Sequence, residues 1–379
     1  MGETVAMLAR AGRQANAAFG SASGSGRFDE TVSFGKNPGG LRMFSHAPDG
    51  LQARAPLVVV LHGCAQAAQG HAAAGGWVEL ADRLGFVVLA PEQATANNLN
   101  RCFNWFSPDD IGRGKGEAAS IAEMIDEAVR VHDLDPEQVY VTGLSAGGAM
   151  AAVMLAAYPE RFAGGAIIAG LPYGVAHNLH EAMRVMNTAD GRTPSELGDL
   201  VQRAAPNSPR RPLRLSIWHG DADTVVSPSN ARDLAAQWLA VSGLDDAPVS
   251  RDELPGRSRA TWGSASPKAA AVELNLVHGL GHGTPLSTGG EDGIGSTAPF
   301  MLEAGISSTL DIARFWGLKP SPAYRRQEQA ATKASAGNAS ATATPADVAA
   351  QVLGAIEKHV PEEVQDVIAR ALRTAGLTR

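Results

Sequence analysis

An α/β fold, a mostly parallel sheet with helices on both faces, is predicted for this chain by three observations. Apolar runs of strand length alternate with helical patterns, a G-x-S-x-G turn joins one such run to one such pattern, and 379 residues suit one large core with appendages. The strand-like runs lie at 57–61, 86–90, 139–142, 165–168, 213–218 and 272–277. Helical spacing falls between them at 121–131, 147–158, 230–238 and 309–316. Segments 31–34 and 41–46 read as an antiparallel hairpin at the sheet edge.

Single cores stop growing at roughly 250–300 residues, so one catalytic domain is expected at 27–320. Before it, 1–19 predicts a short helix and the Ser/Gly-rich 20–26 a flexible joint. After it, 321–345 carries the Ala/Ser/Thr composition of a linker, which holds too little apolar surface to build a core. Val348, Val352 and Ile356, then Val364, Ile368 and Leu372 beyond Pro361, predict a C-terminal helical hairpin at 346–379. Such an appendage suits packing, a homodimer contact or docking to a granule surface.

The 32 basic and 39 acidic residues leave a net charge of -7, with no Lys/Arg block to follow a phosphate backbone, so nucleic acid is not an expected partner. No run reaches the roughly 18 apolar residues of a membrane span, and the first twenty residues hold no signal-peptide core, which predicts a cytoplasmic protein without a membrane span. The two cysteines, Cys64 and Cys102, do not form a CxxC pair, and no metal site is expected.

The chemistry starts at Gly143-Leu144-Ser145-Ala146-Gly147, directly after the strand at 139–142 and directly before a helical run. In that setting the serine occupies a tight corner at the carboxyl end of the strand, flanked by glycines because side chains there would meet neighbouring backbone. This is the nucleophile turn of an α/β-hydrolase. A serine hydroxyl is a weak nucleophile at neutral pH and needs a base whose tautomer a carboxylate fixes.

In this fold the order is nucleophile, acid, base. Trp218-His219-Gly220-Asp221-Ala222-Asp223 follows a strand and offers two carboxylates. Asp223 is favoured, because Asp221 adjoins the turn at Gly220 and suits a loop cap. Leu276-Val277-His278-Gly279-Leu280-Gly281-His282-Gly283 follows the last strand and offers two imidazoles. His282, in the glycine-rich part, can reach back over Ser145, whereas His278 at the strand end suits a structural role. His71, His132, His177 and His180 read as core or solvated side chains. Two backbone amides suit a developing oxyanion: that of Ala146 at the start of the helix, and that of Cys64 in the loop after 57–61. No organic cofactor is required.

With these residues in place the chain resembles the poly(3-hydroxybutyrate) depolymerase family of esterases, relatives of feruloyl and acetylxylan esterases. The resemblance is carried by LHGCAQ at 61–66, GWVELADRLGFVVLAPEQ at 76–93, CFNWF at 102–106, YVTGLSAGGAMAAVMLAAYPERFAG at 140–164, WHGDADTVV at 218–226 and GLGHGTPL at 279–286, within roughly 30–318. It implies Ser145, Asp223 and His282 as a triad and CFNWF near the site, making Trp105 a wall for an acyl or hydroxyacyl unit. His62 and Leu144, beside the oxyanion loop and the nucleophile, complete the candidate substrate contacts. The plainer reading of Phe103, Trp105 and Phe106 is core, and of His62-Gly63 a turn. The resemblance also pairs Cys64 with Cys102, although a reducing cytosol would keep them as thiols.

A polymeric or oligomeric hydroxyalkanoate ester is the substrate this implies. A feruloyl or acetyl ester of polysaccharide and a polyamide such as poly(aspartic acid) use the same parts; Arg101, Arg113 and Lys115 hint at a basic cleft for the last, although solvated loop charges are their plainer reading. A catalytically silent granule-binding protein is the non-enzyme alternative, against which the presence of Ser145, Asp223 and His282 argues.

Overall fold

A computed structural model describes residues 27–320 except 265–268, 270 and 291. The helix and joint expected at 1–26, the linker at 321–345 and the helical hairpin at 346–379 lie outside the described residues. The strands in chain order are β1 (Asp29–Thr31), β2 (Arg42–His46), β3 (Leu57–Leu61), β4 (Val87–Glu92), β5 (Val139–Leu144), β6 (Gly164–Ile168), β7 (Arg214–Gly220), β8 (Ser250–Leu254), β9 (Arg257–Gly263), β10 (Ala271–Val277), β11 (Thr284–Leu286) and β12 (Met301–Glu303). The helices are α1 (Ala68–Ala74), α2 (Trp77–Leu84), α3 (Pro108–Ile111), α4 (Gly116–His132), α5 (Ala146–Ala157), α6 (Leu179–Asn187), α7 (Pro194–Ala204), α8 (Ser229–Ser242) and α9 (Ser308–Trp316).

Ten strands form one sheet in the order β1-β2-β4-β3-β5-β6-β7-β10-β9-β8. The strands from β4 to β10 in that order run parallel, and antiparallel pairs close both edges. The pleat divides the core in two. Leu57, Val59 and Leu61 of β3 face one apolar cluster with Ile121 of α4, Met150 of α5 and Trp238 of α8. Val58 and Val60 face the other, with Trp77 of α2 and Ile312 and Trp316 of α9. Every residue of β3 is fully buried, and truncating Leu57 to Ala in such a setting removes about 2–5 kcal/mol of stability.

Three departures from the sequence expectation have local causes. The first edge strand is Asp29–Thr31 instead of 31–34, because the chain then folds over so that Phe34 enters the core and the Glu123 carboxylate accepts the amides of Lys36 and Asn37 at 2.8 and 2.7 Å. The hairpin of β8 and β9, turning at Pro255 and Gly256, is not an apolar run: SRDEL alternates half-buried and exposed positions, and such charge protects a sheet edge. Helix α7 carries its own start signal, Pro194 in its first turn behind a capping box between Thr193 and Glu196.

Candidate active site

Chain direction brings the functional loops to one rim. Strands β5, β6, β7 and β10 are parallel neighbours, with Leu144 beside Ile168, Ile168 beside Trp218 and Gly220 beside Val277, so everything that follows each strand emerges on the carboxyl side. Ligands of open α/β sheets bind along this edge.

Ser145, between β5 and α5, has φ 57° and ψ -118°. A non-glycine residue in such a conformation is strained by about 1–3 kcal/mol and persists only where its surroundings enforce it. They do so here. The Ser145 amide donates to Ile168 O at 2.9 Å, and α5 starts at the next residue. A Cβ added at Gly147 would lie 2.2 Å from Leu61 O and 2.5 Å from His62 O, and one at Gly143 would lie 2.3 Å from Gly147 O. Glycine at both positions therefore lets the start of α5 press against the end of β3, which places Ala146 beside the loop that carries Cys64.

In that loop the Gly63 amide donates to Gln66 Oε1 at 2.8 Å, the Ala65 amide to Asn100 O at 2.7 Å and the Gln66 amide to Gly63 O at 3.3 Å. Among the described residues the Cys64 amide has no internal acceptor, which leaves it available to an oxyanion. A disulfide joins Cys64 to Cys102, tying this loop to the CFNWF segment.

Asp223 and His282 meet at the same rim. His282 Nδ1 and Asp223 Oδ2 are 2.7 Å apart, with the two side chains 5% and 0% exposed. Asp223 Oδ1 accepts the Val225 and Val226 amides at 2.8 and 2.9 Å. Burial pushes this carboxyl up, but hydrogen bonds from His219, His282 and Val226 outweigh it and hold it well below the usual carboxylate range. The loops that carry the pair are themselves joined, Ala222 N donating to Leu280 O at 3.1 Å and Asp221 N to Val277 O at 3.0 Å. His282 lies edge to face on Phe300, next to Pro299, whose carbonyl accepts from Gln66 of the Cys64 loop at 3.3 Å. No hydrogen bond joins Ser145 to His282 in this structure; such bonds commonly tighten only once substrate is bound.

The remaining alternatives pair with each other: Asp221 Oδ2 and His278 Nδ1 are 3.1 Å apart in the open, and Asp221 Oδ1 caps the Gly279 amide at 2.7 Å.

A matching family model, Esterase PHB depolymerase, covers residues 43–260. The poly(3-hydroxyalkanoate) depolymerase C of Paucimonas lemoignei is 41% identical over 292 residues, 76% of this chain and 70% of the relative. The chain belongs to the PHB depolymerase family of esterases. An acetylxylan esterase of Coprinopsis cinerea is 32% identical over 267 residues, 69% of this chain and 70% of that protein. The acetyl xylan esterase structure from Aspergillus awamori shares the fold, with TM-score 0.61 at 24% identity over 67% of this chain and 93% of that one. Ester hydrolysis is thus the activity class of this PHB depolymerase family member.

One expectation changes against the structure of this family member. His62 is completely buried; its Nε2 accepts the Gln93 amide at 3.1 Å and its Nδ1, which then carries the proton, donates to Gly63 O at 2.8 Å. Burial lowers its pKa to about 4, so it is a neutral brace of the loop that carries Cys64 instead of the substrate contact expected of it. Arg113 and Lys115 do not form a free basic cleft: Arg113 is clasped by Glu160 at 2.7 and 3.1 Å and lies 4.7 Å over the Tyr158 ring, and Lys115 is 3.8 Å from Asp109. Leu144 is 1% exposed, and Trp105, 6% exposed, lies in the core cluster edge on to Phe106.

The sequence does not single out Glu117, although it stands between the CFNWF segment and the helical run at 121–131. Buried in the first turn of α4, its carboxylate accepts the Asn104 amide at 2.8 Å, Asn104 Nδ2 at 2.7 Å and Gln93 Nε2 at 2.5 Å. Burial raises its pKa to about 7 against these hydrogen bonds. Gln93 thus links the brace at His62 to the loop that presents Trp105.

Proposed function

We propose that this esterase acts through Ser145 as nucleophile, His282 as general base and Asp223 as its orienting carboxylate, on esters of hydroxyalkanoate polymers or oligomers. The observation that carries the reading is the 2.7 Å bond between His282 Nδ1 and Asp223 Oδ2 on the rim where Ser145 occupies its strained corner. With Nδ1–H committed to Asp223, the other ring nitrogen is free to take a proton.

His282 Nε2 removes the Ser145 proton as Oγ attacks the ester carbonyl carbon, and the amides of Cys64 and Ala146 receive the resulting oxyanion. Collapse breaks the bond to the leaving alkoxy oxygen, which takes the proton from His282. Water repeats the sequence on the acyl enzyme, releasing the acid and restoring Ser145. All parts are supplied by the chain.

The hydroxyalkanoate assignment is supported by the 41% identical relative, named a poly(3-hydroxyalkanoate) depolymerase. A second reading, an esterase for acetyl groups of polysaccharide, is favoured by the 32% identical acetylxylan esterase. A panel of hydroxybutyrate oligomers, acetylated xylan, methyl ferulate and polyaspartate separates them. We expect the oligomers to give the highest kcat/KM; a preference of tenfold or more for acetylated xylan would overturn the assignment. Labelling by a fluorophosphonate probe tests the nucleophile, and modification at any residue other than Ser145 would refute it. The disulfide between Cys64 and Cys102 suits an oxidising compartment, which pulls against the cytoplasmic location expected from sequence.

A further inference from the structure

We propose that His219 is a positioning residue which holds the Asp223 carboxylate and draws charge from the oxygen that faces His282. The proposal rests on the triad reading above. His219 lies one residue before the end of β7, flanked in the sheet by Leu276 of β10, and its side chain is 0% exposed. Its Nε2 is 2.9 Å from Val226 O and 3.2 Å from Asp223 Oδ2. Both of these atoms only accept, so Nε2 carries the proton, pointing it at Val226 O with Asp223 Oδ2 close alongside. Nδ1 is buried without a hydrogen-bond partner, which leaves it the unprotonated nitrogen.

The consequence is an Asp223 carboxylate with every side occupied. Two main-chain amides hold Oδ1, and two imidazoles reach Oδ2 from different loops. His219 fixes the rotation of the carboxylate group, and through Val226 O it fixes the turn that supplies those amides. It also competes with His282 for the negative charge on Oδ2. The next titratable pair on these two loops, Asp221 with His278, is about half exposed and screened by water, so it does not replace this effect.

A histidine that merely filled core space would affect stability alone, whereas a donor to Oδ2 must also move a titration. Without it the carboxylate acts more strongly on the imidazolium of His282, the base stays protonated to higher pH, and the acid limb of kcat/KM moves upward. Two variants separate reach from polarity. In His219→Gln the amide nitrogen reaches where Nε2 stood; in His219→Asn it falls short.

Hydrolysis of p-nitrophenyl butyrate is measured from pH 5 to 9 for both variants of the full chain, with Ser145→Ala and Asp223→Asn in the same assay. The expected result is an acid limb displaced upward by about half a pH unit or more in His219→Asn and held close to its original position in His219→Gln. Equal profiles in the two variants, with Ser145→Ala and Asp223→Asn inactive, would overturn the role of His219 and leave the triad standing. Activity retained by Ser145→Ala or Asp223→Asn would overturn the triad, and this role with it. Should His219→Asn not fold, nitrogen-15 NMR of the unaltered protein decides: a proton on Nε2 of His219 supports the proposal, and one on Nδ1 refutes it.

Discussion

Two aspartate and histidine pairs span the same two loops, and they differ in everything except composition. Asp223 and His282 are buried at 0% and 5% side-chain exposure; Asp221 and His278, two and four residues earlier in the chain, are 45% and 49% exposed. The buried carboxylate receives main-chain amides and imidazoles on both oxygens, and hydrogen bonds overcome the burial that would otherwise raise its pKa. The exposed one is also held low, by the hydrogen bond from His278 and the Gly279 amide, but water screens the pair and it serves as a loop cap. Under the proposed triad, identical side chains become chemical machinery or surface fastening according to how many fixed donors surround them and how much water is excluded.

The largest contrast is expected at the bases. His282→Ala should lower kcat by about 10⁶, as removal of a triad base does elsewhere, while His278→Ala should stay within about tenfold; steady-state assays on a p-nitrophenyl ester measure both. At the acids, Asp223→Asn should cost about 10⁴ in kcat, because the amide favours the wrong imidazole tautomer, and Asp221→Asn only a few-fold. Comparable losses in the two pairs would erase the distinction.

Acid stability sharpens it further. The folded-state pKa of Asp223 is depressed, so its contribution is complete above the unfolded carboxylate value of about 4 and is lost as pH falls toward the folded one. Denaturant titrations from pH 6 to 3 should show the stability advantage over Asp223→Asn shrinking, with a much shallower slope for Asp221→Asn, whose pair is screened by water. A third carboxylate gives the opposite sign. Glu117 is buried like Asp223 but receives only uncharged amide donors, and its pKa is raised to about 7. The folded chain holds that proton more tightly than the unfolded one, so stability relative to Glu117→Gln should fall between about pH 4.5 and 7, by on the order of 3 kcal/mol.

The centre of the parallel sheet was legible because a strand such as LVVVL is buried on both faces, which leaves an uninterrupted apolar run. The hairpin of β8 and β9 was not, since an edge strand such as SRDEL must advertise charge to water. Helix α5 was legible from the helical run at 147–158 and the glycines around Ser145, although all twelve of its residues are buried and no polar face sets it off. In the site, backbone-dictated features such as the loops after β5, β7 and β10 could be read from glycine placement. His219, Glu117 and the neutral state of His62 could not, because each depends on which side chain a rotamer aims at across the sheet, and spacing along the chain carries no trace of that.

Under the proposed triad, the positive-φ backbone of Ser145 sets activity against durability in this fold. Glycine adopts such angles freely, so Ser145→Gly should yield a catalytically dead protein that melts at a higher temperature than the active one, by a margin of about 1 kcal/mol or more. That variant would be a sturdy trap for capturing an uncleaved oligomer, and its gain in thermal tolerance would measure how much rigidity the working enzyme gives up to present one hydroxyl.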